Sequence, residues 1–164
     1  MASILSPIIA KENPLTIEHC ARTATAALVS LMVARWFGLS ESYWAPITAV
    51  VVMQSTLGAA LPVSAQRLAG TALGAAVGAV AGTYYPGNAV VFGTCILFLG
   101  IVFVPFRLER NAYRYAGITL AIIMLVPGHS GWIVALHRFF GVSVGIAGGL
   151  LVSALWPERR ARKS

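Results

Sequence analysis

The stretch Arg67–Pro86, RLAGTALGAAVGAVAGTYYP, decides the fold. Its glycines at 70, 74, 78 and 82 recur every four residues, so on a helix they form one smooth stripe. Such a stripe lets another backbone approach closely, and in an apolar segment it reads as a membrane helix-packing face. The pattern returns as Arg138–Pro157, RFFGVSVGIAGGLLVSALWP. An offset of 71 residues pairs Arg67 with Arg138, Gly70 with Gly141, Gly74 with Gly145, Gly78 with Gly149 and Pro86 with Pro157. Upstream the same offset pairs Ala45 with Ala116, Ile47 with Ile118, Thr48 with Thr119, Met53 with Met124 and Val63 with Val134. The chain reads as one unit written twice.

Composition places this repeat in a membrane. Of 164 residues 58% are hydrophobic and 10% charged, with a mean hydropathy of +0.80. Soluble domains carry about 25% charged residues. So much apolar surface does not fit inside a soluble core of this size, and the expectation is an all-α integral membrane protein. The net charge of +7 sits at segment ends and in the tail, which points to orientation in a bilayer rather than to nucleic acid. The two cysteines, Cys20 and Cys95, lie in apolar stretches and frame neither a disulfide nor a metal site. The opening residues lack a basic start followed by a long apolar core, so no cleaved signal peptide is expected.

Six helices are predicted. They cover about 16–37, 43–61, 66–84, 89–106, 112–126 and 133–155. Residues 1–15 form an N-terminal cytoplasmic or interfacial segment, 16–157 the membrane domain, and 158–164 a basic cytoplasmic tail. The repeat units are about 16–86 and 87–157. With six spans, Lys11, Arg67, Arg107, Arg110, Arg114, Arg159, Arg160, Arg162 and Lys163 share one side, which puts both termini in the cytoplasm. Three spans per unit is an odd number, so the units are inverted relative to each other. Secondary transporters use this build, with sites near the midplane where repeats meet. The second and fifth helices are short, carry an Ile-Thr pair each, and are interrupted by Pro, Gly or polar residues. Corresponding interrupted helices point to a substrate path. Helices three and six are expected at the centre, packed through their glycines.

YWAPITAVVVMQ over 43–54, then RLAGTALGAAVG over 67–78, then a second arginine-led glycine helix ending in Trp156-Pro157, resembles the fusaric acid resistance and aromatic acid exporter family. The resemblance covers about 16–157 and is most specific from Tyr43 to Gly78. It implies export of aromatic or other organic acids across the bacterial inner membrane. Many members of that family fuse two six-helix blocks with cytoplasmic domains; one block without such a domain is read here, which implies a homodimer or higher homo-oligomer. The plant aluminium-activated malate channels look like distant relatives and keep an anion channel open as an alternative. A third reading is a non-transporting membrane subunit of a larger complex.

The candidate path residues are Arg138, Arg67, Arg22, Thr48, Thr119, Gln54 and His137. An arginine inside a membrane costs about 2.5–3.5 kcal/mol at a helix centre on insertion scales, so it needs a reason. Arg138 either faces a wet cavity that attracts a carboxylate, or snorkels outward or binds a carbonyl at a neighbouring helix end. Arg67 is expected nearer its interface, where snorkelling is favoured. Thr48 and Thr119 either line the path or back-bond within their own helices. Gln54 sits in a polar helix end. His137, beside Arg138, is a candidate proton relay, although the neighbouring cation disfavours its charged form. Gly70, Gly74, Gly78, Gly141, Gly145 and Gly149 are assigned to helix packing. His19, His129 and His137 are too scattered for a metal, and no cofactor is implied. There is no Asp in the chain, and no paired carboxylates or phosphate loop supply a catalytic constellation, so an enzyme is not expected. Trp44, Trp132, Trp156, Tyr84 and Tyr85 read as interfacial anchors.

Overall fold

The structure is a computed structural model that describes residues 16–54, 56–105, 109–126 and 131–157. The N-terminal segment, Ser55, His129 and the basic tail, with Lys11, Arg107, Arg159, Arg160, Arg162 and Lys163, lie outside the described residues. Among those described, the elements are six helices and no strand: α1 (Ile17–Trp36), α2 (Trp44–Val52), α3 (Leu57–Tyr84), α4 (Ala89–Phe103), α5 (Arg110–Leu125) and α6 (Gly131–Leu155).

Local chemistry sets their ends. Thr16 caps α1, its side chain accepting from the His19 amide at 3.0 Å. Gly38, at φ 67°, closes the same helix: the Leu39 amide reaches back to the Ala34 carbonyl at 3.1 Å and the Gly38 amide to Arg35 at 2.9 Å. That pair of bonds around a left-handed glycine satisfies the last free carbonyls. Asn88 caps α4 by accepting from the amides of Val90 and Val91.

The second helix departs from expectation. It ends at Val52 rather than near Leu61, because Met53 turns extended (φ −61°, ψ 121°). Nine residues make about 14 Å of helix, half of the roughly 30 Å hydrocarbon thickness. The third helix therefore begins at Leu57, not near Gln66, with Thr56 as its cap accepting from the Ala59 amide. Pro62 lies inside it. A proline there lacks the amide that would bond one turn back, which is why the sequence reads as a break where the structure carries the helix through.

The packing exchanges partners between the N-terminal and C-terminal halves of the chain. α3 lies mainly against α5 and α6, and touches α2 little; α6 lies against α2 and α1 as well as α3. α1 packs on α2 and α4 on α5. α3 and α6 do meet centrally, as expected, but through Ala75, Ala79, Val134 and Ala135 rather than through their glycine stripes. The stripes face the short helices. A methyl group added at Gly74 would run into the backbone of Ala116, with its Cα at 2.8 Å; one added at Gly145 would run into the Ala45 carbonyl and Thr48. Each glycine helix can come this close only because no side chain stands between the backbones.

Polarity runs inside out. Arg22, Arg138, Thr48, Thr119, Thr71 and Ser30 are buried, while Leu97 and Ile101 on α4 are 65% and 63% exposed. α4 buries only Leu99 and Phe103. Among the described residues α6 is the helix long and apolar enough to cross a membrane, with a mean hydropathy of 1.7.

Candidate functional site

Two arginines define the interior. Arg67 stands ten residues into α3, so it is held deep instead of near a helix end, and it is 8% exposed. Its Nε–H and Nη2–H both donate to Thr48 Oγ1 on α2, at 3.2 and 3.1 Å. Its guanidinium carbon lies 4.9 Å from the centre of the Tyr115 ring on α5. Snorkelling is thus not what Arg67 does: the earlier start of α3 places it among α2 and α5 side chains.

Arg138 on α6 is 2% exposed. Its guanidinium carbon lies 3.4 Å from the centre of the Trp44 ring. The Trp44 indole N–H in turn donates to Glu41 Oε2 at 2.9 Å, and Glu41 and Arg67 both lie within electrostatic reach of Arg138. Nε and Nη1 of Arg138 are buried and have no hydrogen-bond partner among the described residues. A buried donor without a partner costs roughly 1–3 kcal/mol, more when charged. Tryptophan covers one face of this guanidinium, and the donors without a described partner lie on its edge, the part that forks onto carboxylates and similar oxyanions.

The contacts of the two halves correspond through the 71-residue offset. Arg67 lies over Tyr115 and Arg138 over Trp44. Gly70 meets Ala112 and Tyr115, and Gly141 meets Glu41 and Trp44; Gly74 meets Ala116, and Gly145 meets Ala45; Gly78 meets Ile123, and Gly149 meets Val52. Adding 71 to one member of each pair of contacts gives the other helix's partner. One correspondence is missing. Arg67 is bonded to Thr48, yet no described bond joins Arg138 to Thr119, which is buried on α5 one turn beyond Tyr115.

The other sequence candidates lie apart from this pair. Arg22 is fully buried one turn before Ala26, which clusters with Ala49, Met53 and Val152; on α6, Val152 is about four turns beyond Arg138. Gln54 is half-buried at the break between α2 and α3. His137 donates from Nδ1 to the Ile133 carbonyl of its own helix at 2.9 Å. Trp44 and Tyr115 were missed as site residues. Trp44 reads as an interfacial anchor beside Tyr43, and the signal that could have found both was their shared offset to each other and to the two arginines. Among the described residues no three His, Cys, Asp or Glu side chains gather as a metal site.

An all-α bundle with an apolar exterior and paired buried arginines is the class that fold and site define. The fusaric acid resistance protein-like family matches residues 25–152, and the chain belongs to it. It is 31% identical to the inner membrane protein YeeA of Escherichia coli over 152 residues, 87% of this chain and 42% of that protein. It is 27% identical to an uncharacterized protein of Haemophilus influenzae over 150 residues, 90% of this chain and 21% of that one. The chain thus spans less than half the length of both relatives. No solved structure matches it.

Proposed function

We propose that the chain is the membrane block of a bacterial inner-membrane transporter that exports organic anions, aromatic carboxylic acids foremost. The observation that carries this reading is Arg138: buried, stacked on Trp44, with two donor nitrogens that have no partner among the described residues and a second arginine within electrostatic reach. Arg138 and Arg67 are two buried cations with one acid, Glu41, in electrostatic reach of Arg138, and a buried cation in excess favours an anion as its partner. The relatives support the location, since one of them is named an inner membrane protein. The apolar exterior supports a multi-pass arrangement in lipid, with both termini cytoplasmic. The corresponding contacts of the two halves support inverted repeat units at about 16–86 and 87–157, with the path where they meet. Arg67, Thr48 and Thr119 belong to that path. Six helices enclose little room for an aromatic acid, which favours a homodimer or higher homo-oligomer.

An anion channel is the second reading. It is favoured by the buried polar set, which among the described residues holds Arg, Ser and Thr and no carboxylate. A proton-coupled carrier usually has an intramembrane acid to bind the proton. Uptake of labelled 4-hydroxybenzoate into proteoliposomes tests both. Flux driven by an imposed pH gradient fits the exporter, and flux driven by voltage alone fits the channel. Folded, correctly oriented protein that passes no aromatic acid under either condition overturns the transport reading.

A further inference from the structure

The missing correspondence is informative because the four contacts around it are in place. Arg67 with Tyr115 mirrors Arg138 with Trp44, and each glycine contact has its counterpart. Yet Arg67 has both Nε and Nη2 on one threonine oxygen, while Nε and Nη1 of Arg138 have no partner among the described residues. Two halves with corresponding contacts, in which Trp44 and Glu41 stand where the other half has Tyr115 and Ala112, are thus in unequal states. Resting on the transport reading above, we propose that Arg138 and Arg67 are alternate seats for one oxyanion, and that Thr48 and Thr119 are the hydroxyls that hold whichever arginine is empty.

The chemistry follows from the donors. A threonine oxygen accepting from two N–H groups of a guanidinium occupies the position one oxygen of a carboxylate would take. In the state seen here Thr48 fills that position on Arg67, and Arg138 is the seat left open. In the exchanged state Thr119 takes Arg138 and Arg67 opens. Thr119 is buried on α5 in the place that the offset gives it, as Thr48 is on α2. No covalent step is involved; one hydrogen-bonded pair forms as its counterpart breaks. Because the two arginines repel each other, loading one favours neutral engagement of the other.

Two reporters at corresponding positions test this. Gln54→Cys, at the end of α2, and Leu125→Cys, at the end of α5, differ by the same offset. Each is placed in a Cys20→Ser, Cys95→Ser background and its rate of maleimide modification is measured in liposomes. Thr48→Val keeps the shape that packs on Gly145 but removes the acceptor. It should shift the ratio of the two rates by roughly tenfold, the effect of one charge-assisted hydrogen bond. Thr119→Val should shift the ratio the opposite way, and the double variant should return it to the parental value. Benzoate added to Arg138→Gln can sit only on Arg67, so it should move the ratio as Thr48→Val does; added to Arg67→Gln, it should move it as Thr119→Val does. Nitrate run beside benzoate distinguishes an inorganic oxyanion from an organic carboxylate as the occupant. Equal shifts in the same direction for both threonine variants, or ratios that neither anion moves in either arginine variant, overturn the proposal. Absence of flux in the parent protein speaks instead against transport, since the reporters respond to the exchange whether or not anything crosses.

Discussion

The guanidinium of Arg138 stacks on Trp44, 3.4 Å from the ring centre, while its buried Nε and Nη1 have no hydrogen-bond partner among the described residues. A cation over an indole in a desolvated site is worth about 2 kcal/mol. Trp44 also packs beside Gly141. Trp44→Ala should therefore destabilise the protein by about 3 kcal/mol, read by denaturant unfolding in detergent micelles. Trp44→Tyr should cost about half of that, because tyrosine already serves Arg67 at the corresponding place.

The glycine stripes separate packing from mere flexibility. A methyl group at Gly74 or Gly145 collides with the backbone of α5 or α2, which has no side-chain end to move aside. Gly74→Ala and Gly145→Ala should each lower stability by about 2 kcal/mol. At Gly93 an added methyl group meets nothing within 4 Å. Gly93→Ala should be neutral or stabilising by up to about 1 kcal/mol through helix propensity. Thermal unfolding of the three variants side by side checks the contrast.

Topology is open to a labelling experiment. Ser40 follows α1, and Glu109, which caps α5 without a side-chain bond, precedes it; both are exposed. With both termini inside, Ser40→Cys should react with an impermeant maleimide added to intact cells. Glu109→Cys should react only after permeabilisation. The reverse pattern would invert the orientation drawn from the basic residues.

How much of this was legible depended on which features repeat. The arginine-led glycine helices showed themselves through their offset, and the close backbone approach they imply is present. Their partners were not legible: a smooth stripe says that a backbone comes near, not whose, and the stripes turned out to face α5 and α2. The depth of Arg67 was hidden by Pro62, which reads as a break, and by the polar Gln54-Ser55-Thr56 run, which reads as the end of the second helix; the third helix starts nine residues earlier than the expected Gln66. Trp44 was hidden by position. An aromatic pair at the head of a helix matches an interfacial anchor, and only the three-dimensional contact shows the ring under Arg138. The family resemblance was legible from the same residues that carry the repeat, and the family match, over 25–152, takes in all of them but the Trp156-Pro157 end.

The most direct measurement compares anion flux through parent, Arg138→Gln and Arg138→Lys proteins in proteoliposomes, with unfolding curves showing that each is folded. If the unpartnered donors of Arg138 receive the anion, Arg138→Gln should lose at least about tenfold in flux, the effect of one or more charge-assisted hydrogen bonds. Arg138→Lys should recover part of it by keeping the charge without the fork. Flux through Arg138→Gln equal to that of the parent would contradict the role given to the buried pair.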